Sequence, residues 1–329
     1  MASSVLELPT FKGRPGWEFT DLTGLDLESY APTAVQPALS TAAPAGASFD
    51  GQTLRISGTL SEPIELATLV PDGALANQQL SVVVEDGAQA EVWERWTGAG
   101  VLNVATELQV GDNARLRYIA VQDLSEDAWI FGAQRASVGR DARLDWVALG
   151  FGSQSGHVLM STRLVGEGAE ARVTGAYATR GRQHIDFDTT QEHAAPNTFS
   201  DLAFRGVLAG RSSAVWKGNI IVDPGAQKTD AFQESRNLLI SKRAHADAIP
   251  GLEIQANDVR CTHAAAVAQV DPEQLFYLRS RGLPEPEAKQ LVIEGFLAAL
   301  VERFEAGSVR DTLAEILEHR LELVLAQAK

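Results

Sequence analysis

Ala114-Arg-Leu-Arg-Tyr-Ile-Ala120 and Ala142-Arg-Leu-Asp-Trp-Val-Ala148 decide the fold. Apolar and polar residues alternate in both. An extended chain therefore turns Leu116 and Tyr118, or Leu144 and Trp146, to one side and the charged residues to water. Each follows a turn-forming triplet, Gly111-Asp112-Asn113 or Gly139-Arg140-Asp141, that supplies positive φ. Two more segments align with them: Ala88-x-Ala90-x-Val92 after Asp86-Gly87, and Ala169-x-Ala171-x-Val173 after Gly166-Glu167-Gly168. The leading alanines, at 88, 114, 142 and 169, are 26, 28 and 27 residues apart. Other strands lie between them, such as Leu102 to Val110 and Val158 to Leu164. A recurrence of this length with two or more strands per unit predicts a stacked solenoid, and two-residue hairpin turns are not the dominant spacing. The expectation is a mainly β chain with a right-handed parallel β-helix core over residues 51–268, with Trp146 facing inward. Beyond residue 175 the recurrence blurs: the next comparable strand, Ala214-x-Trp216, comes 45 residues after Ala169.

The flanks differ from this core. Residues 1–50 form an N-terminal segment and linker, in which Trp17-Glu18-Phe19-Thr20 is aromatic and polar and Ala31 to Ala47 reads as a connector rich in Ala, Pro, Ser and Thr. Residues 269–329 turn helical. Asp271-Pro272-Glu273 is a helix start with an N-cap, a proline in the first turn and an acid beside it. Ala288, Leu291, Val292, Leu297, Leu300, Val301 and Phe304 follow helical spacing, and a second stripe runs from Val309 to Val324. These helices are expected to cap the solenoid and to offer a surface for a partner.

The chain has 329 residues, 45% of them hydrophobic, which excludes disorder as its main state. Its net charge of −15 repels a phosphate backbone, so nucleic acid is not an expected partner. One cysteine, Cys261, excludes an internal disulfide and fits a reducing compartment. The opening residues show no basic stretch followed by an apolar one, and no apolar run is long enough to span a bilayer, so a cytoplasmic, non-membrane protein is expected.

Motifs for catalysis are missing. Gly166-x-Gly168-x-x-Ala171 has the letters of a dinucleotide fingerprint, but Val173 and Thr174 continue as strand where that motif needs a helix. No P-loop, nucleophile elbow or His-Glu-x-x-His helix occurs. His184, Asp186 and Asp188 share one side of a strand, with His193 nearby; a metal-ligand set is conceivable, but they read better as polar residues on a wet face with Ile185 and Phe187 inward. Cys261 and His263, two apart, share a side if residues 258–265 are extended. Thiolate and imidazole both bind iron or zinc, but two ligands do not close a tetrahedral site, and a buried thiol beside a hydrogen-bonded histidine fits the residues as well.

Asp258-Val-Arg-Cys-Thr-His263, followed by Asp271-x-Glu273-Gln274-Leu-Phe-Tyr277-Leu-Arg279-Ser-Arg281-Gly282, resembles the C-terminal signature of the SufB/SufD family of iron–sulfur cluster assembly proteins. Gln183-His184-x-Asp186, Glu192-His193-x-Ala-Pro-Asn-Thr198, Lys217-Gly218 and Gln233-x-x-Arg236-Asn237-Leu238-Leu239 resemble its central motifs. The single cysteine is nearer the SufD branch. The resemblance implies a non-catalytic scaffold that pairs with a SufB-like subunit and docks SufC-like ABC-type ATPases on its helical domain, with ATP hydrolysis left to that partner. It implies that His263, and less directly Cys261, contributes to iron or a nascent iron–sulfur cluster shared at the partner interface; whether a homodimer forms when the partner is absent is left open. Flavin binding is left open. Two other readings compete: a polysaccharide-acting β-helix enzyme, and a purely structural solenoid.

Overall fold

In a computed structural model, residues 17–304 and 307–326 are described. The strand Ile64–Val70 alternates buried and exposed at every residue, and Ala74–Val84 keeps the same parity over eleven. A chain of this parity can bury one side only against another layer, and here that layer is a second sheet of the same coil. Successive strands are laid alternately on two sheets, almost entirely parallel. The β-helix expectation holds.

Along the second sheet, Gln89, Arg115, Arg143, Glu170, Phe199, Asp230 and Arg260 are successive partners. The coil therefore lengthens toward the C-terminal end and does not break. The blurred recurrence has a chemical cause. The buried turn alanine (Ala88, Ala114, Ala142, Ala169) is followed in the next coils by Thr198 and Thr229, equally buried and 3.2 Å apart between hydroxyls. Ala214-x-Trp216 belongs to the other sheet, in strand Ser213–Val222 beside His184–His193. Glu170–Thr179 is a strand, where the dinucleotide fingerprint would need a helix.

The interior is a column of side chains. Trp146 is fully buried and meets Tyr118 edge-on at 6.4 Å; farther along, Phe187, Phe204 and Trp216 follow at 5.3 and 6.3 Å. Gly98, at φ +101°, sits so close to the Val70 carbonyl that no side chain fits there. A carboxyl group lies within this column. Glu94 occupies an inward position between Val92 and Trp96, where it accepts hydrogen bonds from Gln78 and the Tyr118 hydroxyl. Burial pushes its carboxyl up to about 7. In the unfolded chain the same group titrates near 4.5. The folded state thus binds the extra proton between these values, and this group's contribution to stability falls as pH rises from about 4.5 to about 7. Glu94→Gln should flatten that fall, read as urea midpoints at pH 5 and pH 8.

Two parts of the sequence behave differently from expectation. The Ala31–Ala47 connector is partly strand: Ala31–Ala34 pairs with Ala74–Asn77, and Ala38–Leu39 runs antiparallel to Leu66 and Ala67. Together with the antiparallel pair Ala47–Phe49 and Leu54–Ile56 these short strands cover the N-terminal edge. The helices α1 (Pro272–Ser280), α2 (Glu285–Val301) and α3 (Ser308–Ala326) do not cap the far end. Asp271 does cap α1, accepting from the Glu273 amide at 2.9 Å. But α2 and α3 lie along the outer flank of the second sheet. There Ile293, Leu297, Leu313 and Leu317 pack on Ile119, Val147, Ala176 and Val207. Arg303 to Asp201 (3.2 Å), Arg205 to the Phe296 carbonyl and Arg320 to Asp123 pin them. The reason is surface: that flank carries valines, isoleucines and alanines that, among the described residues, only the helices cover.

Candidate functional site

With the helices on the flank, the C-terminal end of the solenoid is bare among the described residues. Its last rung consists of His245–Ile254 and Arg260–Gln269, each the outermost strand of its sheet. Register fixes which residues face the coil axis. Leu252 and Ile254 stand on Ile220 and Val222, while Cys261, His263, Ala265 and Val267 stand on Ala231, Gln233, Ser235 and Asn237. The residues beneath are almost wholly buried, because a rung covers them. No rung covers the last one, so Leu252, Ile254 and Val267 remain 39%, 42% and 43% exposed. Among the described residues, backbone donors and acceptors along both ten-residue strands lack an outer partner strand. An apolar face rimmed by open edges is a template for another chain.

The two predicted ligands sit in this rung, on one side, as their spacing requires. Cys261 is half-buried against a small cluster of Ile220, Val222, Ala226 and Ala231. Burial, and next the Asp230 carboxylate, push its thiol up, so it stays protonated at neutral pH unless a cation draws the proton off. His263 is exposed. One rung below, buried Gln233 donates to the Gly218 and Gly251 carbonyls at 3.2 and 3.0 Å, and its Oε1 has no partner. That orphaned acceptor is suited to hold an imidazole N–H and so leave the other ring nitrogen free to ligate. Among the described residues no group of three or more His, Cys, Asp or Glu side chains converges as a metal site.

The other polar motif separates. His193 points inward, between Thr198 and Ser200 at 2.8 Å each, and burial lowers its imidazole to about 4, so it is neutral. His184 bonds Ser213 (2.8 Å) and Asp188 bonds Lys217 (3.2 Å). Ile185 and Phe187 face inward as expected. Asp186, however, is not wet. It is buried with His157 (2.8 Å) beneath Thr20 (2.7 Å), and Trp17 lies over the His157 ring at 4.6 Å. The sequence did not reveal this pairing, because no local pattern links residue 20 to residue 186.

A second exposed surface lies where α1 and α2 meet the last strands: a groove of about 880 Å3 lined by Leu278, Val292 and Phe296. Phe276, Tyr277 and Leu291 are 74%, 57% and 49% exposed nearby. Among the described residues no helix is long and apolar enough to cross a membrane.

The family model described as SUF system FeS cluster assembly, SufBD core domain, matches residues 68–296. An iron–sulfur cluster assembly SufBD family protein of Mycobacterium bovis is 32% identical over 305 residues, 89% of this chain and 77% of that protein. One of Mycobacterium leprae is 32% identical over 297 residues, covering 87% and 76%. The iron–sulfur cluster assembly protein SufD of Bacillus subtilis is 35% identical over 257 residues, covering 76% of this chain and 58% of its own length.

Proposed function

Since this chain belongs to the SufBD family of iron–sulfur cluster assembly proteins, we propose that it is a non-catalytic scaffold subunit of a Suf-type assembly complex in the cytoplasm, pairing with a SufB-like subunit through the bare last rung. The observation that carries this reading is that rung: apolar side chains built to be covered, beside two unpaired strand edges, with His263 and Cys261 among them. A partner's edge strands would continue both sheets, bury Leu252, Ile254 and Val267, and enclose His263 in the junction. The partner then supplies the ligands this chain lacks, and iron or a nascent cluster is the cargo held between them. The same surface would pair with a second copy when the partner is absent. A SufC-like ABC-type ATPase fits the groove of α1 and α2, where exposed aromatic and aliphatic side chains can anchor it. Its movements would reach the solenoid through the arginines that pin the helices.

The test is co-expression with SufB-like and SufC-like subunits followed by size-exclusion chromatography. A ternary complex is expected; a chain that elutes alone in the presence of both would refute the scaffold role. His263→Ala should leave the complex intact and lower its bound iron several-fold, measured by elemental analysis of the purified complex. Wild-type iron content in that variant would remove His263 from the site.

A further inference from the structure

Arginines gather on the outer face of the second sheet, toward its N-terminal end. Strand register sets Gln89, Arg115, Arg143 and Glu170 in one row across the sheet, and Glu91, Arg117, Asp145, Arg172 and Asp201 in the next. In the second row the signs alternate, and Arg117 reaches Glu91 at 3.4 Å and Asp145 at 3.7 Å. In the first row two guanidinium groups occupy neighbouring strands, which lie ~4.8 Å apart. Arg143 draws on Asp145 (3.2 Å), already shared with Arg117. Among the described residues Arg115 and Arg172 have no ion-pair partner, and the Arg117 Nε is buried without a hydrogen bond. Like charges on facing positions destabilise a sheet unless something neutralises them. The other such pair on this sheet, Arg205 and Arg236, has Glu234 between its members. Arg115 and Arg143 have no equivalent.

The arrangement is also concave. These rows floor a cleft of about 390 Å3, walled by the turn at Thr59–Pro63 on one side and by Arg303 and Phe304 beyond the end of α2 on the other. That volume falls in the range of small-molecule sites. Arg303 is already paired with Asp201, so among the described residues the lining cations without an ion pair are Arg115 and Arg172, and they outnumber the one lining carboxylate without an ion pair, Glu62. A protein of net charge −15 repels anions in general; only such a local surplus reverses the sign.

We propose that this cleft binds a small ligand carrying a diphosphate, held by Arg115, Arg143 and Arg172, with the Ser61 and Thr59 hydroxyls at its rim. Guanidinium forks match phosphate oxygens in pairs, and adjacent strands present them at a spacing that serves two linked phosphates better than one carboxylate. Leu60 on one side and Phe304 on the other offer the ligand's organic part apolar contacts. The site is remote in sequence from the bare last rung and does not depend on pairing there.

Isothermal titration of the full chain with inorganic pyrophosphate, ADP and citrate tests this. Saturable binding of pyrophosphate and ADP is expected, weakening as salt rises, and at least tenfold weaker in Arg115→Gln/Arg172→Gln. Arg236→Gln, outside the cleft, should bind as the wild type. If the double variant fails to fold, Arg115→Gln alone serves, because that side chain is exposed and unpaired. Absence of saturable binding, binding unaffected by these substitutions, or citrate binding as tightly as pyrophosphate would overturn the proposal.

Discussion

Replacing Leu252 and Val267 together by glutamate should abolish pairing with a SufB-like subunit while leaving the chain folded. Both side chains stand on the last rung and are about two-fifths exposed, so charges there meet water in the free protein. In the complex they would be buried between two apolar rungs with no partner for their charge. Each such carboxylate costs several kcal/mol after relaxation, and every 1.4 kcal/mol is tenfold in affinity. Affinity should fall at least a hundredfold, visible as separate peaks in size-exclusion chromatography at micromolar concentration. The helical groove is untouched, so the SufC-like ATPase should still bind the variant. Retained pairing would place the SufB-like partner elsewhere on the molecule.

Trp146→Asp should unfold the solenoid. Trp146 is fully buried on strand Arg143–Gly150, with Tyr118 and Val173 as its register partners on the two neighbouring strands. Emptying a buried tryptophan position costs about 3–5 kcal/mol, and an unpaired carboxylate there adds several more. Together these match the whole stability of an ordinary domain, about 5–15 kcal/mol. The position magnifies the effect, because each coil of a solenoid contacts only its neighbours, and a broken middle coil uncouples the two ends. Trp146→Phe, which keeps an aromatic ring, should stay folded with a lower melting temperature. A Trp146→Asp protein that melts like the wild type would contradict the inward column.

Strand parity was legible in short segments because a side chain's face depends only on odd or even position. So Trp146 and Phe187 were assignable to the interior, and Cys261 and His263 to one side of a strand. The recurrence was legible only while the turn residue stayed alanine. Thr198 and Thr229 fill the same buried place by bonding each other, and no rule of apolar spacing anticipates that. Glu94 carried a readable signal, a carboxylate at an inward position between Val92 and Trp96, and its meaning depended on knowing that Tyr118 and Gln78 flank it.

The amino-acid sequence alone determined that this protein is a coil of strands followed by helices, and which residues lie on its axis. Both follow from local periodicity and from capping side chains such as Asp271. Only the tertiary structure decided that the helices lie along the flank and that Trp17 and Thr20 cover Asp186. It also decided that the last rung, with His263 in it, is left open. Those outcomes turn on which of several apolar surfaces is covered, a competition between segments distant in the chain. Periodicity says that a face must be buried and is silent about what buries it.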